Sequence, residues 1–462
     1  MKRSESGRVL AVLLLLIVAG AILCFVGLAA FRAGPAPGIS ADPAGGSSGR
    51  KTSVTVTVTE SVRGLSSVLV EAVQGDHVEK LADKSYAPRP AWKFWGPATG
   101  SDTLDLEIGK DAIQDLREGP MTLRVTAGAA PAWLSHPAPA VKEFPFQVRL
   151  TPPSLGVMST FHFVKQGGSE AVVYHVGDSC VRDGVQAGDA WFPGYPLPGG
   201  DKGEHFALFA VPYDLSDPSK VKLVAADDVG NEAQTTFIDK FTPRKPVEAT
   251  IHITDAFLDK VVPAIMSQTP EVPDSGGRLE NFLWINGKLR EANRAALVDL
   301  SSKSQPQFLW VHPFLPMSNA KVMAPYAEPR NYVYQGRVVD HQVHLGFDLA
   351  STRAVPVQAS NDGVVVLAHF FGIYGNAVII DHGYGLESLY AHLSSIDVKE
   401  GQEVKRGETI GRTGDTGLAG GDHLHFAILL DGHPVDPQEW WDGHWIRDRI
   451  ARKLGGALPF QP

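Results

Sequence analysis

Hydrophobic and polar positions change their period several times along the chain, and each change predicts a different element. From Val9 to Phe31 the run VLAVLLLLIVAGAILCFVGLAAF holds no charged residue. A helix of about 23 residues at ~1.5 Å per residue crosses a hydrocarbon core of ~30 Å. Lys2, Arg3 and Arg8 precede the run and Arg32 follows it, a bias that leaves the N-terminus in the cytoplasm and everything after Arg32 outside. Ala29 and Ala30 make a cleaved signal peptide the rival reading, but the run is long for one. An uncleaved anchor is expected over residues 1–32. Residues 33–51, rich in Pro, Gly and Ser, read as a flexible tether.

Period-two alternation follows. SVTVTVTE (53–60), MTLRVTA (121–127) and FPFQVRL (144–150) are patterned as half-buried strands, so 52–151 is expected to be a β-sandwich module. EAVVYHV (170–176), FALFAVP (206–212) and VKLVAADDVGNEAQTTF (221–237) predict a second β module over 152–243. Its ADDVGNEA phrase resembles the last hairpin of bacterial Ig-like modules. Between 254 and 303 the period becomes helical: Leu279, Phe282, Leu283, Leu289, Ala296, Leu297 and Leu300 recur on one face. Asn286 and Asn293 fall on that face and Gly287 sits mid-pattern, so the stripe is imperfect and leaves room for a break. This segment, 244–304, reads either as a helix packed on a neighbour or as a movable cover.

Composition narrows the function classes. With 462 residues, 44% of them hydrophobic, the chain can bury several cores. A net charge of −9 without a Lys/Arg block proposes no nucleic-acid surface. Cys24 lies in the apolar run and Cys180 far away in a polar one, so neither a disulfide nor a cysteine metal cluster is expected.

Chemistry concentrates in the last third. HLGFDLA places His344 and Asp348 four apart, YAHLS supplies His392, and HLH supplies His423 and His425. Even offsets turn side chains to one face of an extended strand, so two strands could deliver two imidazoles and a carboxylate to one ion. Zinc takes such ligands and, in catalytic sites, keeps a fourth position for water. The remaining histidines could then move protons. An isolated H-x-H or HxxxD is more often structural than catalytic.

The surrounding glycine framework changes those odds. From HLGFDLA through PVQASNDGVVV, YGNAVIIDHGYGLESLYAHLS, VKEGQEVKRGETIGRTGDTG, HLHF and GHPVDP, residues 318–440 resemble the M23 peptidase family, the lysostaphin or LytM-type peptidases. The resemblance implies one zinc ion held by His344, Asp348 and His425, with His392 and His423 as the catalytic pair. It implies an antiparallel β-sheet forming a groove with the metal on its floor. Departures from the family pattern, RAVPV (353–357), Ala427 and LAGGDHLHF (418–426), remove none of those five residues but bear on substrate preference.

The expected chain is therefore mainly β: an N-terminal transmembrane helix, two Ig-like β modules, a short helical segment, an M23 domain over 305–445 and a tail over 446–462. The function implied is a zinc metalloendopeptidase of peptidoglycan cross-links or stems, remodelling the cell's own wall. It would be held by one membrane pass with its catalytic domain on the periplasmic or wall side, and open to a regulatory protein partner. The alternative is a non-catalytic LytM-like activator of a cell-wall amidase. Such relatives are degenerate at the metal positions, whereas all five are filled here.

Overall fold

A computed structural model of the chain describes residues 3–93, 95–245, 247–274 and 276–462, with the side chains of 3–6 outside the description. Lys2 and the Arg3 side chain, two charges expected to orient the N-terminus, lie outside the described residues. Helix α1 spans Arg3–Phe31, and from Gly7 onward it is long and apolar enough for a membrane span or a signal sequence. Its last turn is satisfied from outside the helix: the Ala29 and Ala30 carbonyls accept from the Trp133 and Leu134 amides at 3.2 and 2.9 Å. Trp92, Trp95, Trp133 and Leu134 are exposed around that end, and Trp95 packs on Phe25. Both cysteines are free.

The chain divides into two compact units. The first comprises residues 1–152 with 227–231. Its three-stranded sheet contains Gly38–Asp42, Thr52–Thr59 and Ser101–Ile108, and its five-stranded sheet centres on Gly119–Ala129 and Leu65–Gln74. Alternation does what the pattern requires: Val54, Val56 and Val58 face inward with Val68, Val70, Leu123 and Val125. Residues 38–48 correct the tether expectation. Gly38–Asp42 pairs with Thr52–Thr59 and Gly46–Ser48 pairs with Ala140–Val148. Open sheet edges offer backbone partners to a polar chain, and Ile39 and Ser48 are buried where these strands pair.

The second unit holds 153–226 and 232–462. Here the expected boundary between Ig-like module and peptidase domain separates stretches of sequence but not cores. The module has two four-stranded sheets, and Phe206 in its interior meets Tyr384 and Phe308 at ring distances of 4.9 and 5.6 Å. Residues 446–462 are likewise no loose tail. Ile446, Ile450, Leu454 and Leu458 are buried, and Lys453 Nζ reaches Glu170 Oε1 at 2.9 Å and the Ala171 carbonyl at 3.0 Å.

An eight-stranded sheet carries the chemistry, with neighbouring strands Phe347–Ala350, Leu424–Leu430, Leu386–Leu393, Asn376–Asp381 and Gly363–Phe370. Beside it, Ala249–Ile253 pairs parallel with Glu328–Tyr334, which pairs antiparallel with Arg337–His344. Helix α2 (Asp255–Gln268) starts at Thr254, whose hydroxyl accepts from the Phe257 amide. The predicted amphipathic helix is present, and around Gly287 it stays helical but widens: α3 (Arg278–Trp284) and α4 (Arg290–Ser301) flank a π-helical turn over Ile285–Leu289.

Candidate metal centre

Sheet pairing places the first two members. Asp348 and His425 are direct cross-strand partners on Phe347–Ala350 and Leu424–Leu430. His344 arrives differently from the expected strand alternation. The chain leaves one strand at His344 and enters another at Phe347, in different sheets. Gly346 in that bend explains why the turn is possible: a Cβ there would lie 2.6 Å from His425 Cε1 and Nε2. Only hydrogen lets the backbone pass so close to the imidazole. His423, two residues before His425, bridges to Gly414, and its amide donates to the Gly414 carbonyl at 3.0 Å. His392 lies on Leu386–Leu393 with φ +62°, a left-handed conformation uncommon outside glycine and found at functional sites.

The structure brings His344, Asp348 and His425 together with one ligand atom each inside a 4.8 Å limit. His344 Nε2 lies 2.9 Å from Asp348 Oδ1 and 2.9 Å from His425 Nδ1, and His425 Nδ1 lies 3.1 Å from Asp348 Oδ1. Bonds of about 2.0–2.1 Å to zinc set tetrahedral ligand atoms about 3.3 Å apart, so this triangle fits such an ion with small adjustment. Protonation fits too. The Pro325 carbonyl, 3.1 Å from His344 Nδ1, can only accept, so the proton sits there and Nε2 turns a lone pair inward. A lone pair facing a carboxylate oxygen and a second imidazole nitrogen calls for a cation between them.

His392 and His423 share that logic. His392 Nδ1 donates to the Thr416 carbonyl at 2.8 Å and His423 Nδ1 to the Gly421 carbonyl at 2.7 Å, so each presents Nε2 to the cavity. Their rings are 4.9 Å apart, and His423 Nε2 lies 3.4 Å from Asp348 Oδ1. Burial, then the neighbouring His423 and His425, hold His392 well below the ordinary imidazole range. Burial lowers His425 to about 4. Burial opposes protonation of His423 as well, but the Asp348 carboxylate overcomes it and the pKa rises. For Asp348 burial favours the neutral acid, yet the surrounding His344, His423 and His425 imidazoles bring it well below the usual carboxylate range.

All five residues line one cavity of ≈ 410 Å³. Part of its wall comes from sequence outside the motifs: His252 and Phe257 from the strand and helix that precede the sheet, Arg290 from α4, and Glu328, Arg330 and Tyr332. Arg330 donates to Asp348 Oδ2 and Glu328 Oε2, both at 2.9 Å. It thereby orients the carboxylate whose other oxygen faces the imidazoles. Sequence reasoning missed Arg330. His382 stays apart from the cavity, buried with Nδ1 2.6 Å from the Asp362 carbonyl and Nε2 2.7 Å from Ser388 Oγ.

Residues 342–437 match the family described as Peptidase family M23. Over 96 residues the chain is 47% identical to "DD-carboxypeptidase/endopeptidase Mpg" of Neisseria meningitidis, covering 21% of this chain and 22% of that one. Over 93 residues it is 45% identical to "Peptidoglycan DD-endopeptidase ShyA" of Vibrio cholerae, covering 20% and 22%. The match thus spans about a fifth of the length of these curated relatives. Among solved structures, the catalytic domain of the antimicrobial peptidase lysostaphin from Staphylococcus simulans aligns with a TM-score of 0.21 at 23% identity, over 31% of this chain and 96% of that one.

Proposed function

Because the C-terminal part of this chain carries a Peptidase family M23 domain, we propose that the protein is a zinc metalloendopeptidase that hydrolyses peptide bonds in peptidoglycan stems or cross-links. The observation that carries this reading is the convergence of His344 Nε2, Asp348 Oδ1 and His425 Nδ1 on one point of a cavity that also holds His392 and His423. Relatives named as peptidoglycan DD-endopeptidases support the substrate class. Helix α1 supports a protein anchored by one pass in the cytoplasmic membrane, acting on the cell's own wall from its outer side.

His344, Asp348 and His425 would hold the zinc. Bound there, zinc would bring the pKa of a water to about 7 and polarise the scissile carbonyl. The chain's own residues do the rest. Arg330 fixes the Asp348 carboxylate from behind. His392 and His423 approach from one side, each with its Nδ1 proton committed to a backbone carbonyl. One Nε2 takes the proton of the attacking water. The other, once protonated, donates to the oxyanion of the tetrahedral intermediate. The proton taken from water then passes to the leaving amine. With the Nδ1 protons of His344, His392 and His423 committed to backbone carbonyls, little reorganisation of those three rings remains for the reaction.

The test uses the full chain in detergent with purified peptidoglycan fragments, and mass spectrometry of the products. The expected result is new amino and carboxyl ends that vanish with chelator, return with zinc, and are absent for His423→Ala. Cleavage that survives chelation would overturn the zinc reading. No cleavage at all would overturn the peptidase and leave the amidase-activator alternative.

A further inference from the structure

The two asparagines that spoil the apolar face of the predicted helix both have partners at the catalytic cavity. Asn293 Oδ1 accepts from the Ile373 amide at 3.1 Å. Asn286 is fully buried in the π-helical turn and donates through Nδ2 to Asp340 Oδ2 at 2.7 Å. That bond turns its Oδ1 toward Arg290, whose Nη2 donates to it at 2.6 Å, while Arg290 Nε donates to the Asn286 backbone carbonyl at 3.0 Å. The guanidinium is thus clamped on one side and faces the cavity on the other.

Its charge is unmatched. Arg330, in the same cavity, is paired with Glu328 and Asp348. Arg290 is surrounded instead by Tyr332, Tyr374 and the like charges of Arg294 and Arg330, and among the described residues no carboxylate pairs with it. A guanidinium withdrawn from bulk water without an anion is costly unless an anion arrives with the ligand. The π-helical turn is a second pointer, since such turns interrupt helices mostly at functional sites. A sphere of ≈ 410 Å³ is about 9 Å across, or roughly three residues of extended peptide.

We infer that Arg290 is a specificity-determining residue, a carboxylate-binding subsite of the catalytic cavity that selects peptides bearing a free carboxylate within about three residues of the scissile bond. This rests on the endopeptidase reading of the site for its reaction, but not for its binding. Asn286 is the positioning residue, because its backbone carbonyl and Oδ1 hold Arg290 Nε and Nη2.

The experiment compares cross-linked stem-peptide dimers with free carboxylates against the same dimers amidated one carboxylate at a time, terminal or side-chain. Turnover and calorimetric binding are both measured with the full chain in detergent. Wild type is expected to bind one carboxylated form about 10- to 100-fold more tightly than its amide. Arg290→Gln should bring that ratio near one, with KM rising more for the carboxylated form than for its amide. Arg290→Lys should keep part of the preference, and Asn286→Ala should weaken it. Because each ratio is internal to one variant, lost stability does not mimic the effect. The amide that loses preference identifies whether the carboxylate is terminal or side-chain. Arg290-dependent discrimination in binding without turnover would sink the peptidase and keep the subsite. Turnover with no discrimination, equal losses on both substrates in Arg290→Gln, or no binding of either form would overturn the subsite.

Discussion

The histidines of His423-Leu-His425 stand two residues apart, yet their substitution should have different consequences. His425→Ala removes one corner of the His344–Asp348–His425 triangle and is expected to lose zinc and activity together. His423→Ala leaves the triangle intact and is expected to retain zinc while activity falls about 100-fold or more, as for loss of a group working on the reacting atoms. Metal content by plasma mass spectrometry, measured beside turnover, checks both; equal zinc loss would contradict the division of roles. Gly346→Ala drives a Cβ to 2.6 Å from the His425 ring. Zinc affinity should fall about 10- to 100-fold, the scale seen when ligand positioning is lost, and melting should fall too, because the same Cβ would lie 2.8 Å from the Phe426 carbonyl oxygen. His382 gives a pH signature. Burial holds it at about 4, against 6.5 for the free ring. Its depressed pKa means the unfolded chain binds the extra proton, so this contribution is complete above pH 6.5 and is lost as pH falls toward 4. The slope is about 1 kcal/mol per pH unit at most. Denaturation at pH 7.5 and pH 5 should therefore show a smaller acid loss for His382→Gln than for wild type. The five motif residues were legible because their types and spacing are constrained together. Arg290 and Arg330 were not, because an arginine in an amphipathic pattern reads as a solvated position until tertiary contacts show what surrounds it.

At the level of elements, the helical segment was legible in outline and its breakpoint was marked by Gly287, but the reason for the break was not. Asn286 and Asn293 weaken an apolar stripe in one dimension; in three they satisfy buried polar partners. Asn293 accepts from the Ile373 amide beside Gly372, whose φ of +52° allows the turn there. Asn293→Leu should restore the stripe yet cost about 1–3 kcal/mol, since it leaves a buried amide unpaired. Urea denaturation checks this: a stabilised variant would show that stripe continuity outweighs the hydrogen bond. The His344–Asp348 pair carries the converse lesson. Its even spacing anticipated convergence, but the mechanism is a bend at Gly346 between two sheets, which no periodicity announces.

Over the whole molecule, strands were readable wherever one face is apolar, and the division into bodies was not. Residues 38–48 lack the apolar alternation of a strand, because sheet edges recruit them through the backbone. Residues 446–462 do carry a four-residue apolar spacing, Ile446, Ile450, Leu454 and Leu458, but what that face packs on is a strand nearly 300 positions away in the chain. Removing residues 1–152 should leave the second unit folded, with thermal melting within a few degrees. Expressing 305–462 alone should give an aggregating fragment, because Tyr384, Phe308 and Trp310 would lose the covering Phe206 side of their core. Size-exclusion chromatography of the two truncations distinguishes these outcomes.

The bond from Ser169 to Glu439 and that from Lys453 to Ala171 join positions 270 and 282 residues apart. A chain threaded N-terminus first through a translocation channel cannot close either contact until those late residues emerge on the far side. The second β module must therefore wait, half-assembled, for the end of the peptidase region. On the proposed reading of a metal-dependent hydrolase acting outside the cytoplasm, folding of the second unit would follow completed export, and the metal would be taken up there.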